Sequence, residues 1–232
     1  VLERGMADAR HPLYRFRHLE MQIKIINFSD YGTPQSRRRC IAGNIPFDAI
    51  ASYQSRLPRR TLGDVVAAIA SSDEVVDPVW GCVLPAATLT ERQTEGALNA
   101  EELRMNREAK TYHPVYNNMA FPDAMDLPGR TVTATCTRVS RESIVIQDGA
   151  NRFRRLSIRE RACLQGFPIT YQFYAKSFPE KVRMVGNAIP PTFAYLVAQA
   201  AKGISPGALV PYSEAGVDLR LPRKAAIVTP PT

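Results

Sequence analysis

The sequence predicts an α/β protein in which two ordered segments flank a small, irregular, β-rich domain. Alternating apolar residues near the start indicate a strand, and helix-type periodicity appears near the end. Between them lies a polar stretch in which periodicity weakens and only short β-like pieces stand out. The predicted segments are residues 1–70, the irregular domain at 71–153, a return to the first domain at 154–204, and a poorly ordered tail at 205–232.

The first segment begins with a strand at residues 21–28, followed by turn chemistry at 29–34 and a second strand at 39–45. A helix is predicted at 61–70, because Thr61 and Asp64 stand at capping-box spacing before an apolar run. In the irregular domain, the most strand-like pieces are 130–136 and 143–147.

Two helices are predicted after residue 155. Ser157 and Glu160 again have capping-box spacing, so a helix is expected to run to Gln165 and to end near Gly166. Residues 186–191 are predicted as a loop. In the helix that follows, apolar residues at i, i+3, i+4 and i+7 form one buried face: Phe193, Leu196, Val197 and Ala200.

The net charge of +8 comes mostly from arginine, with 24 Arg against 6 Lys. Arginine suits bidentate contacts to phosphates and base edges, so the charge favours a nucleic-acid partner, although an ordinary basic cytosolic protein fits it equally well. No signal peptide or membrane span is expected. The four cysteines and three histidines show no metal-ligand or disulfide spacing, so we expect no metal and reduced thiols. Since the chain begins with Val, a fragment or a processed chain is expected.

One basic motif, YGTPQSRRR at residues 31–39, leads from a turn into the second strand. Alternate strand residues share a face, so Gln35, Arg37 and Arg39 are predicted to point the same way. An amide and two guanidiniums on one face suit phosphate oxygens or the carbonyl edge of a base. Taken alone, the pattern favours an exposed basic edge strand, which discourages aggregation.

Two further segments are RLSIRERACLQGFP at residues 155–168 and VGNAIPP at 185–191. Alone, the first is explained by a capped helix and the second by a tight loop. In this order, the three segments resemble the last three conserved motifs of the DNA cytosine-5 methyltransferases. PGRTVTA at 128–134 also resembles a stretch near the end of that family's target-recognition domain. The resemblance covers about residues 21–202. It implies the C-terminal part of a Rossmann-like S-adenosylmethionine-dependent methyltransferase fold, with a target-recognition domain at 71–153.

The resemblance implies a role for each matched residue. Arg39 would hold a flipped cytosine through its carbonyl oxygen, while Arg37 and Gln35 would shape that pocket or hold the adjacent backbone. Candidate DNA-binding and cofactor-binding residues follow from the same resemblance. Thr131, Arg130 and Arg155 are the DNA-binding candidates, Gly186, Asn187 and Ala188 the cofactor-binding ones, and Arg155, Arg159 and Glu160 would brace the recognition domain.

The chain also departs from the family. No Pro-Cys nucleophile motif, no Gly-x-Gly cofactor loop and no Glu-Asn pair occurs in the 232 residues. None of the cysteines is therefore assigned as the nucleophile of methyl transfer, and Cys163 is expected to be buried and inert. Base-reading residues cannot be chosen from the sequence, although the recognition domain offers Arg92, Gln93, Arg104, Arg138 and Arg141.

Three interpretations remain open at this stage. In the first interpretation, the chain is an incomplete methyltransferase that acts on duplex DNA. It would be either a truncated enzyme or one subunit of a split enzyme. Its partner would then be an N-terminal half that carries the Pro-Cys and Gly-x-Gly motifs. Alternatively, it is a non-catalytic DNA-binding relic, or a basic domain unrelated to methylation. A bacterial or phage protein in the cytoplasm, with no membrane partner, is expected.

Overall fold

A computed structural model describes residues 2–18, 21–111 and 119–215. Helices and short strands are mixed along this part of the chain, as predicted. The helices are α1 (Leu2–Ala7), α2 (Phe47–Ser52), α3 (Leu62–Ala70), α4 (Ala100–Thr111), α5 (Ile158–Leu164), α6 (Phe178–Asn187) and α7 (Pro191–Ala201). The strands are β1 (Gln22–Asn27), β2 (Arg38–Gly43), β3 (Glu74–Val76), β4 (Val83–Pro85), β5 (Val145–Gln147) and β6 (Phe153–Arg155).

The strands form three separate antiparallel pairs within the described residues: β1–β2, β3–β4 and β5–β6. The β1–β2 pair is the longest, with Gln22 opposite Gly43 and Asn27 opposite Arg38. The predicted strand at 130–136 is wrong, because those residues carry no ladder. A single parallel bridge joins Gln35 to Gly129. Farther along, the backbone amide and carbonyl of Val132 bond to the side chains of Gln35 and Arg37 instead of to a strand.

The capping boxes predicted from the sequence are confirmed. In α3, the Thr61 hydroxyl accepts from the Asp64 amide at 3.1 Å and the Asp64 carboxylate accepts from the Thr61 amide at 2.8 Å. Ser157 and Glu160 make the same exchange at the start of α5. Each box satisfies two backbone donors that a helix start otherwise leaves unpaired, which fixes where these helices begin.

Four of the described helices were not predicted: α1, α2, α4 and α6. The α4 helix lies inside the region expected to be irregular, and it is polar all round, so it lacks an apolar period to detect. Ion pairs from Arg104 to Glu101 (2.6 Å) and Glu108 (2.7 Å) support it at helical spacing. The α6 helix runs to Asn187, so the start of the predicted loop at 186–191 is helical.

Two apolar clusters form the core. The first joins α3, α5 and the β5 region, and the second packs α7 against α2 and the turn after β1. In α7, Phe193, Leu196 and Ala200 are buried, as predicted, and Val197 is partly buried against them.

The tail prediction differs from the structure over residues 205–215. Two short 3-10 helices lie there, and Leu209 and Tyr212 are buried in the second cluster. Their apolar side chains anchor a segment whose proline content suggested disorder. Residues 216–232 of the predicted tail lie outside the described residues. No described helix is long and apolar enough to cross a membrane.

Candidate functional site: the junction of the three motif segments

The first motif does not present a single basic face. The β2 strand begins only at Arg38, so Gln35 and Arg37 precede it in irregular backbone. Both side chains turn inward and are buried, whereas Arg39 is exposed. The predicted common face of Gln35, Arg37 and Arg39 is therefore wrong, because the strand on which it depended starts too late. The motif divides into an inner part and an outer part.

The inner part is centred on the Arg37 guanidinium. Its two terminal nitrogens donate to the carbonyl oxygens of Val132 and Gly186, each at 2.8 Å. Burial, and to a smaller extent the charge of Arg39, lowers the pKa of Arg37 to about 10. The group therefore remains a cation at neutral pH. One side chain thus ties the first motif to the end of the recognition domain and to the last motif.

Gln35 makes a second bridge beside Arg37. Its amide nitrogen donates to the Gln165 side-chain oxygen at 2.7 Å, and its own side-chain oxygen accepts from the Val132 amide at 3.2 Å. The Gln165 amide in turn donates to the carbonyl of Ala188. All these side-chain groups are buried, where an unmade hydrogen bond is costly. The middle motif is in this way connected to both others.

At Gly186 the backbone of the last motif lies directly against the backbone of residues 133–134. A Cβ atom at this position would lie 2.3 Å from the Ala134 nitrogen and 2.4 Å from the Thr133 carbonyl carbon. Only a residue without a side chain fits against this backbone. The glycine of the last motif is used for packing against the segment that the Arg37 bridge also holds.

Both arginines that were predicted to bind DNA form their contacts within the protein. Arg130 forms an ion pair with Asp123 and donates to the Ser143 carbonyl at 2.9 Å. Arg155 is buried and pairs with Glu95 at 3.0 Å. Nearby carboxylates and carbonyls hold both guanidiniums, a use that residue type alone does not reveal.

The recognition-domain arginines follow the same rule. Arg92 donates to the carbonyls of Ile69 and Ala86, and Arg138 pairs with Glu102. The buried Arg159 donates to the carbonyl oxygens of Thr90 and Tyr171, which matches its predicted bracing role. Arg92, Arg130 and Arg138 therefore stabilise loops of residues 71–153.

The outer part of the site is polar and open. Thr131 donates to the Ser36 carbonyl at 3.0 Å, which brings the recognition domain next to the first motif. A cleft of about 370 Å³ opens at this point. Its lining includes Ser36, Thr131, Thr133, Arg141 and Glu142. The exposed Arg38 and Arg39 follow Ser36 closely in the chain. Backbone and side-chain donors meet here on an accessible surface.

The three predicted cofactor-binding residues have different environments. Gly186 is enclosed by backbone, and the Ala188 carbonyl is occupied by Gln165. Asn187 is exposed at the end of α6 and lines an open cleft of about 580 Å³. Tyr174 and Met184 line the same cleft, and Tyr174 is 78% exposed. Of the three residues, Asn187 alone offers its side chain to solvent.

Sequence reasoning missed the residues that complete the junction. Gln165 was quoted within its motif but was given no role, although it links Gln35 to Ala188. Thr33 and Thr192 also bond to each other at 2.7 Å, both fully buried. A neutral polar residue directly after the apolar run Ala162–Leu164 was the available signal for Gln165.

Residues 15–203 match the sequence profile of the C-5 cytosine-specific DNA methylases. This match covers most of the chain, and its bounds include all three motif segments. The chain therefore belongs to the C-5 cytosine-specific DNA methylase family.

Its relatives are Type II methyltransferases. M.FnuDI of Fusobacterium nucleatum is 28% identical over 192 residues, which is 78% of this chain and 54% of the relative. M.NgoPII of Neisseria gonorrhoeae is 24% identical over 196 residues, 79% of this chain and 55% of the relative. The chain spans about half the length of these curated relatives.

A solved structure shares the fold. It is that of an E. coli prophage-encoded protein assigned as a DNA modification methyltransferase, with a TM-score of 0.50 and 16% identity. The match covers 86% of this chain and 67% of that one.

Replacing Gly186 by alanine tests the close packing at the junction. Because the new methyl group has no space, the backbone must move, and we expect a loss of about 2–3 kcal/mol in the free energy of unfolding. Urea unfolding followed by circular dichroism measures this loss. Gly207→Ala is the matched control, since nothing lies within 4 Å of a Cβ there, and we expect a change below about 0.5 kcal/mol. Equal losses for the two variants would contradict the close packing.

Proposed function

We propose that this chain is the DNA-recognition and base-holding half of a DNA cytosine-5 methyltransferase. The full reaction would transfer a methyl group from S-adenosylmethionine to C5 of a cytosine flipped out of duplex DNA. One observation carries the proposal: the three motif segments converge on buried Arg37 and Gln35, while Arg39 of the same motif is left exposed. This arrangement supports a rigid inner frame and an outer surface that is free to meet a substrate.

In this proposal, Arg39 donates to the carbonyl oxygen of the flipped cytosine. A base must leave the duplex before an enzyme can act on its ring atoms, so a charged donor that steadies it is needed. Thr131 would lie at a phosphate near the target, which its position in the cleft with Ser36 supports. Arg130 and Arg155 would not contact the DNA themselves. They would hold the segments on either side of this surface.

The chain supplies little of a cofactor site by itself. S-adenosylmethionine would provide the methyl group, and Asn187 is the residue whose exposed side chain fits a contact to it. Gly186 and Ala188 would support that contact through their packing and the bond to Gln165. The β1–β2 hairpin would form one part of a Rossmann-like sheet. The remaining cofactor contacts and the nucleophile must then come from another polypeptide segment.

Exposed apolar side chains support a docking partner of that kind. Ile25 on β1 is 68% exposed and Ile189 after α6 is 64% exposed. Isolated surface isoleucines are common, but Ile25 lies in the strand before the first motif and Ile189 lies within the last motif. An N-terminal half that carries the Pro-Cys and Gly-x-Gly motifs would bury them.

A reconstitution experiment tests the proposed division of labour. The chain is incubated with duplex DNA and labelled S-adenosylmethionine, alone and with a polypeptide that carries the two missing motifs. We expect label in the DNA only when both parts are present, because no Pro-Cys thiol exists in this chain. Incorporation by the chain alone would contradict the proposal. DNA binding without any activity in the mixture would favour a non-catalytic relic.

Substitution of Arg39 tests the base-holding role. Loss of a charged hydrogen bond to the substrate should lower methyl transfer by the reconstituted pair by about 10- to 100-fold. Arg38→Ala is the matched control, since it removes the same charge from the neighbouring exposed position. We expect it to weaken DNA binding slightly and in a salt-dependent way. Equal effects of Arg38→Ala and Arg39→Ala would reduce Arg39 to a general electrostatic contribution.

A further inference from the structure

Cys136 lies in a cleft that the proposed function does not use. The cleft has a volume of about 420 Å³ and lies between residues 134–138 and the first turns of α6. Phe178 and Val182 line one side, and Arg138 and Arg183 also line it. Cys136 is partly exposed there, so a small molecule from solution can reach its sulfur.

Two guanidiniums donate to this sulfur. Arg155 Nη2 lies 3.1 Å from Cys136 Sγ, and Arg161 Nη1 lies 3.3 Å from it. The two guanidiniums place N–H donors and positive charge at the sulfur of Cys136, and reactive cysteines lie in partly exposed, electropositive surroundings of this kind.

The positive charge at this position is not fully compensated. Arg155 pairs with Glu95 at 3.0 Å, but no carboxylate of the described residues lies within 4 Å of the Arg161 guanidinium. Arg161 is only 1% exposed, and its Nη2 has no hydrogen-bond partner within the described part of the chain. A buried guanidinium without an anion is costly, so a new acceptor oxygen on a group beside it would be stabilised.

The other three thiols lack this combination. Cys163 is fully enclosed, and burial raises its pKa well above the usual value. Burial also raises the pKa of Cys82 to about 12. Cys40 is exposed, but among the described residues no guanidinium donates to its sulfur. Access and positive charge therefore coincide at Cys136.

We propose that Cys136 is a peroxide-reactive thiol, a modification site distinct from methyl transfer. The thiol gives its proton to solvent, and Sγ attacks one oxygen of hydrogen peroxide. An S–O bond forms as the O–O bond breaks, and the departing hydroxide takes up a proton to become water. The sulfur is oxidised to a sulfenic acid and the peroxide is reduced. The new oxygen supplies an acceptor on a sulfur to which Arg161 Nη1 and Arg155 Nη2 already donate.

Competition between thiols in one chain tests this proposal. The full chain is treated with limiting hydrogen peroxide and a 1,3-diketone that traps sulfenic acids, and each cysteine peptide is quantified by mass spectrometry. We expect Cys136 to react about tenfold faster than the more exposed Cys40 in the native chain. In urea the two rates should become equal. A native Cys40 rate equal to or above that of Cys136 would overturn the proposal.

Two variants separate charge from accessibility. Arg161→Gln should lower the Cys136 rate toward that of Cys40, whereas Glu95→Gln should raise it, because Arg155 then lacks its counter-ion. If Arg161→Gln unfolds the chain, Cys163 will be labelled, and Glu95→Gln alone then decides. A Cys136 rate that Glu95→Gln leaves unchanged or lowers would contradict the electrostatic origin of the reactivity.

Discussion

The bridge from the Arg37 guanidinium to the carbonyl oxygens of Val132 and Gly186 is the interaction on which the rest of the site depends. It joins segments that lie 95 and 149 residues from Arg37 in the chain. The planar guanidinium satisfies two divergent carbonyls at once, which the single ammonium of lysine cannot do with the same geometry. Gly186 then allows the backbones to touch, and Gln35 extends the frame to Gln165. No carboxylate in the described part of the chain pairs with this cation, and the dipoles of the two carbonyls stabilise it.

This frame explains why a basic chain uses so few arginines at the proposed DNA surface. Arg130, Arg155 and Arg159 hold loops and helix starts through carboxylates and carbonyls. Arginine is suited to this role because its five donors can satisfy several acceptors that irregular backbone leaves unpaired. The exposed Arg38 and Arg39 are left to meet a polyanion. Net charge alone therefore does not indicate which arginines are available for a contact at the surface.

The sequence predicted the elements whose signals are local. Capping boxes at Thr61 and Ser157 and the apolar period of α7 were all confirmed, because each lies within a few residues. The polar α4 was missed because it has no apolar period. The strand predicted at 130–136 was wrong because hydrogen bonds between distant segments decide the backbone there. The inward orientation of Gln35 and Arg37 was also not predicted, because it depends on hydrogen bonds to distant segments. Motif order identified the family, but only the folded chain separates the bracing residues from the exposed ones.

Hydrogen exchange in an Arg37→Lys variant tests the central role of the Arg37 bridge most directly. The frame predicts that amides in residues 128–136 and 185–189 exchange faster than in the unaltered chain, while those of α3 are unchanged. Arg38→Lys, an equivalent change at an exposed position, should leave all three regions unaltered. Unchanged exchange at 128–136 in Arg37→Lys would contradict the account, since the motif segments would then be held together by other contacts.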